Sequence, residues 1–166
     1  MHCRTRFAAA LVVAGSSFAA HGQAVVSERT ISTSAAQEAA TAALEQCRKD
    51  GYRVTVTVVN RAGRAKVVLH DDGSGPHTIE NSLRKAYTTV TFRVPSGEIG
   101  KRVAANPGGA GTLHLANVTG AAGALPILSN KEVIGAIGVS GAPGGDKDEV
   151  CAQAGIDRIA KGLAGG

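Results

Sequence analysis

Two pairs of apolar segments are each joined by only three residues, and this spacing constrains the fold more than any other feature of the chain. "RVTVTVVN" (53–60) is followed by Arg61-Ala62-Gly63 and then by "RAKVVLH" (64–70). Further on, 125–128 and 132–140 are joined through Ser129-Asn130-Lys131. Parallel neighbours need a crossover of about a dozen residues or more, so each pair reads as an antiparallel hairpin. In the first pair Val54, Val56 and Val58 alternate with Thr55, Thr57 and Val59, the period-two pattern of a strand.

Helical spacing surrounds these hairpins. Ser34, with Gln37 three residues on, reads as a capping box. Ala36, Ala39, Ala40, Ala43, Leu44 and Cys47 then form one face, and Gly51 is a natural stop. "DDGSGP" (71–76) is a turn-rich break. Thr78 is the expected N-cap of a second helix with Ile79, Leu83, Ala86, Tyr87 and Val90 as its stripe. Pro95 ends it, and Ser96 caps a shorter helix containing Ile99 and Val103. "NPGGAG" is a connector, and "TLHLANV" (112–118) reads as a further strand. The last helix is expected near Asp146. The order α-β-β-α-α-β-β-β-α predicts an α+β fold: a mainly antiparallel sheet of about five strands covered by helices, a profilin-like sandwich. The first and last helices should share a face.

The N-terminus reads as a secretory leader over residues 1–24. Arg4 and Arg6 precede an apolar run from Phe7 to Ala14, and Gly22 and Ala24 are the small residues before a cleavage point. The run is far short of the ~20 residues of a spanning helix, and no other segment reaches that length, so no stable membrane insertion is expected. Residues 25–166 then form one domain, exported to the periplasm or beyond. Without Arg4 and Arg6 the net charge of +5 becomes +3, since every acidic residue follows position 24. With no basic block or interleaved aromatics, no nucleic-acid partner is implied. Cys47 and Cys151 remain as an even pair, read either as a disulfide or as two buried residues that never meet. Tyr52, Tyr87 and Phe92 are the only aromatics after residue 24, so a pocket must be walled by aliphatic residues.

Familiar catalytic motifs fail. "GEIGKRV" lacks the earlier glycine and the Ser/Thr of a P-loop, no G-x-G-x-x-G opens a helix, and no G-x-S-x-G elbow or zinc spacing occurs. One passage remains to be explained: "VIGAIGVSG", a loop of small residues, and "DEVCAQAG". It resembles the C-terminal signature of the GlcG/HbpS haem-binding family (the DUF336 type). "VTVVNRAGR" is similar to that family's strand ending in V-D-x-x-G, "HDDG" to its R-x-D-G turn, "RKAYTTVTF" to its K-A-x-T helix and "LPILSNKEVIGAIG" to its hairpin. The likeness spans residues 31–160. Asn60 departs from the usual Asp, His70 from Arg, and Ala124 from Gly.

The resemblance implies haem, or another small flat ligand, and a homo-oligomer. Gly135 and Gly138 would leave room beside the sheet for such a guest or for a closely packed helix. Gly141, Gly144 and Gly145 would permit unusual turns. Haem needs a ligand atom for its iron, an apolar slot and cations for its propionates. With no C-x-x-C-H and no Met after residue 24, the iron ligand narrows to His77 first, then His70 and His114. Arg84 and Lys85 are candidates to meet the propionates. The implied role is haem storage, transfer or sensing, with weak peroxidase-like turnover within its reach. The alternative is a domain that binds, or acts on, a small organic acid in the same pocket.

Overall fold

The protein is described here by a computed structural model that covers residues 24–164; the leader reading falls outside them, apart from Ala24. Helix α1 (Thr33–Lys49) is followed by strands β1 (Thr55–Asn60) and β2 (Ala65–His70). Helices α2 (His77–Phe92) and α3 (Ser96–Ala105) lead to a 3-10 helix (Pro107–His114). Strands β3 (Ala124–Ser129) and β4 (Glu132–Ser140) and helix α4 (Gly145–Leu163) complete it. The sheet runs β2-β1-β4-β3, and every neighbouring pair is antiparallel.

Both hairpins form where the three-residue connectors place them. Gly63 turns the first at φ +73°, and Asn130 and Lys131 turn the second, both left-handed at φ 50° and 68°. Two consecutive left-handed residues match the right-handed twist of the strands they join. Among the described residues the sheet has four strands rather than about five. "TLHLANV" forms no strand, because its backbone closes on itself: Leu115 N–H donates to Thr112 O and Val118 N–H to Leu115 O, with Asn117 at φ 63°.

Two cores sandwich the sheet. Val54, Val56, Val58, Ile137 and Val139 face α1 and α4, whose contact surface is Ala36, Ala39, Ala40 and Ala43 against Cys151 and Ala152. The first and last helices do share a face. Cys47 and Cys151 are bonded there, with Cα atoms 5.5 Å apart, and both are fully buried. On the opposite face Val59, Ala86 and Ala136 pack with Leu83 and Val90 of α2. Helix α1 starts two residues earlier than the capping box suggested: Ser32 Oγ accepts from Ala35 N–H at 3.2 Å. Thr78 lies inside α2 rather than capping it, since Pro76 precedes the first turn. Pro95 likewise precedes α3, and Ser96 Oγ instead accepts from Ala124 N–H at 3.1 Å.

The strand glycines are occupied by protein. A Cβ on Gly138 would collide with the Ser82 carbonyl and meet Ala86 N at 2.9 Å, and one on Gly135 would lie 2.5 Å from Val59 O and 3.0 Å from Ile31. They seat α2 and the chain entering α1, and leave no slot for a flat guest. Gly138→Ala should therefore cost about 1–3 kcal/mol through forced separation of α2 from β4, read as a lower midpoint in chemical denaturation with an unchanged m-value.

Candidate functional site

A cleft of about 620 Å³ opens at the sheet end where β1 begins, β4 finishes and α2 starts. Its wall is the 141–145 loop and the loop of 71–76, with Arg53, His77 and Asn81 projecting and Lys85 at the floor. Of the three loop glycines only Gly141 has a positive φ, +135°. Gly144 is extended at φ −168°. Gly145 is small for close approach: a Cβ there would sit 2.6 Å from that of Ala122. Asn81 donates to Ser140 Oγ at 3.0 Å, fixing the rim.

Beneath the cleft lies an ion pair that the sequence reading did not find. Lys85 Nζ donates to Asp148 Oδ2 at 2.7 Å and to Val139 O at 2.9 Å, with both side chains almost fully covered. Asp148 Oδ1 accepts from Ala142 N–H at 3.1 Å, which ties the glycine loop down. Burial pushes the Asp148 carboxyl above its ordinary range, and the adjacent ammonium opposes that shift. Lys85 therefore spends its charge inside the fold, because Asp148, distant in sequence, reaches it. Arg84, its neighbour, points elsewhere: Nη2 donates to Val118 O at 2.7 Å and Nη1 lies 3.6 Å from Glu80.

His77 is exposed at the first position of α2, its ring folded back so that a Cβ on Gly75 would meet Nδ1 at 2.9 Å. His70 sits across the loop at the end of β2, its ring also exposed, with Nδ1 2.7 Å from Thr55 Oγ1. Thr55 Oγ1 is 2.6 Å from Thr78 Oγ1. His114 lies at the end of the 3-10 helix, outside the cleft lining. The structure thus places His77 and Lys85 on one cleft and leaves His70 and Arg84 off it. The buried hydroxyls of Thr55, Thr57, Thr78 and Ser82 were not legible, because a Val-Thr alternation reads as a strand with one wet face. Here α2 covers that face, and Thr57 and Ser82 bond at 2.7 Å. Next to His70, the guanidinium of Arg48, 2.6 Å from Asp71 Oδ1, holds that carboxyl below its ordinary range against the effect of burial.

Fold and site together define a helix–sheet–helix α+β sandwich with a polar, glycine-walled cleft at one end of an antiparallel sheet. Residues 31–157 match the family described as haem degrading protein HbpS-like, and the chain belongs to that family. A double mutant of HbpS from Streptomyces reticuli is 37% identical, with TM-score 0.77, over 87% of this chain and 97% of that one. An uncharacterised 15.0 kDa protein of the dhaT-dhaS intergenic region of Citrobacter freundii is 31% identical over 77% of this chain and 91% of its own length. The PduOC:heme complex shares the fold at TM-score 0.71 and 23% identity, over 78% of this chain and 95% of that one.

Proposed function

We propose that this chain is an exported haem-binding protein that stores, passes on or senses haem and works as a homo-oligomer. The observation that carries the reading is the family match over residues 31–157, in a family whose description names haem. A fold neighbour in complex with haem supports it. The residues present fit the group. Iron porphyrin needs a nitrogen donor, apolar surface and cations. Exposed imidazoles stand at both ends of the 71–76 loop, Val68 and Ile79 are apolar and exposed nearby, and Arg53 lines the adjoining cleft. When bound, haem would supply an iron centre, while His70 and His77 offer ligand nitrogens and the arginine charge would meet carboxylates.

Export is supported by the leader-like N-terminus and by a disulfide suited to an oxidising compartment, periplasmic or extracellular. Among the described residues, the outer strands β2 and β3 each have one edge with no strand neighbour, where copies of the chain could join. No described helix is long and apolar enough to cross a membrane.

Haem titrated into the purified chain should give a Soret band displaced from that of free haem, with a higher unfolding temperature as the site fills. An unaltered spectrum and melting curve at saturating haem overturns the proposal. One observation favours a second reading: Arg53, His77 and Asn81 converge on a polar cleft, which suits a small organic acid. A carboxylate that raises the melting temperature where haem does not would select it.

A further inference from the structure

The buried hydroxyls behind His70 determine which of its nitrogens carries a proton. Thr78 Oγ1 lies 2.6 Å from Gly75 O, a carbonyl that can only accept, so the Thr78 hydroxyl proton points there. Its oxygen must then accept from its other neighbours, Ser74 Oγ at 2.9 Å and Thr55 Oγ1 at 2.6 Å. The single proton of Thr55 is thereby committed to Thr78. Thr55 Oγ1 can only accept from His70 Nδ1 at 2.7 Å, so that nitrogen is the donor. Neutral His70 is held as the Nδ1–H tautomer, and Nε2 keeps a bare lone pair on an exposed ring.

This is the arrangement metal-binding imidazoles use: the second ring N–H is anchored, so the ring's orientation and tautomer are set before the metal arrives. His77 takes no such bond from the described residues.

The surface beside His70 has a matching character. In the β1–β2 register Thr55 pairs with His70 and Thr57 with Val68, so His70 and Val68 face the α2 side of the sheet. Helix α2 lies over β1 and β4, and β2 projects past it. Tyr87 and Val90 close on Gly63 in the β1–β2 turn, which turns the Ile79–Leu83–Tyr87 flank of α2 toward β2. Val68 and Ile79, each 45% exposed, offer apolar surface there beside the exposed His70 ring.

We infer that His70, through Nε2, is the nitrogen that takes the iron of haem, with the porphyrin lying on the apolar strip between β2 and α2. This deepens the haem-binding reading and rests on it. Coordination here releases no proton from the neutral ring. It also places the guest outside the polar cleft, which stays free for a different ligand.

Two experiments test it. In the haem-free chain, long-range 15N NMR should show His70 Nδ1 with a pyrrole-type shift and Nε2 with a pyridine-type shift. Thr55→Val, which removes the acceptor, should convert this to the averaged signature of an untethered ring. In haem titrations, His70→Ala should shift the Soret band and weaken binding at least tenfold, and Thr55→Val should weaken it severalfold with His70 still present. A pyridine-type Nδ1 overturns the assignment, whatever haem does. So does haem binding that His70→Ala leaves intact or that only His77→Ala removes. If the tautomer is as stated but the wild-type chain gives no Soret change, the haem reading fails, and with it haem as His70's ligand. Far-ultraviolet circular dichroism of each variant separates lost ligation from lost fold.

Discussion

Replacing Cys47 and Cys151 together by alanine should lower unfolding stability by about 2–5 kcal/mol. The bond closes a sequence separation of 104 residues, from the first helix to the last. Constraining an unfolded loop of roughly 100 residues is worth about 4–5 kcal/mol in the chain-entropy account. Both helices also pack on the sheet, but the direct contact between them is lined by small residues. Their contact is built from Ala36, Ala39, Ala40 and Ala43 on α1, and from Ala152 and Gly155 on α4. Small residues allow the close crossing, since a Cβ on Gly155 would sit 2.5 Å from Ala39 O, but each buries little apolar area. Denaturant unfolding of the double variant, and of the wild type with and without reductant, measures the effect. A loss below about 1 kcal/mol would mean that the α1–α4 packing alone holds the layer.

Lys85→Met should destabilise the chain by about 3–5 kcal/mol near neutral pH, because it leaves the Asp148 carboxylate buried without its counter-charge. Lys85 Nζ is the charged partner of Asp148, and its second bond, to Val139 O, joins α2 to β4 beside the cleft. The pH dependence gives a sharper signature. Burial already raises the Asp148 carboxyl above its ordinary range, and removal of Lys85 takes away the ammonium that opposes that rise. A raised carboxyl binds its proton more tightly folded than unfolded. Its stabilising contribution is therefore greatest at acid pH, and it is lost as pH rises from the unfolded value through the folded one. The penalty in Lys85→Met should accordingly shrink on acidification. The double variant Lys85→Met/Asp148→Asn should recover part of the loss at neutral pH. A penalty that does not change with pH would place the effect in packing of the lysine stem.

Much of the architecture was legible because it depends on local spacing. Three-residue connectors cannot cross over, so the hairpins had to be antiparallel, and both are. Alanines recurring at helical positions defined the buried face of α1 to the residue. The 112–118 segment was misread because Leu113 and Leu115 alternate like a strand. That backbone instead satisfies its hydrogen bonds in local turns. Helix starts were misplaced by one or two residues where a nearby hydroxyl competed for the cap, as with Ser32 and Ser34.

The site was less legible. His77 was chosen for its place beside the turn-rich loop, and it does line the cleft. Lys85 was read as a candidate to meet a ligand's carboxylates, and nothing within its own helix contradicted this. Its partner Asp148 arrives from α4, 63 residues away. The glycines of β4 were read as room for a guest or for a closely packed helix, and the helix fills it at Gly138; a missing side chain looks the same in sequence in either case.

Spacing, small-residue periodicity and short connectors belong to the chain itself, and from them alone come the antiparallel hairpins, the helical faces and the family's pattern. Which hydroxyl proton points where, which cation has a partner and what sits over each glycine were decided only when distant elements came together. The physical reason is range. Backbone geometry and hydrophobic period act over a few neighbouring residues, whereas a hydrogen bond or ion pair depends on atoms within about 3–4 Å in space, whatever their separation along the chain.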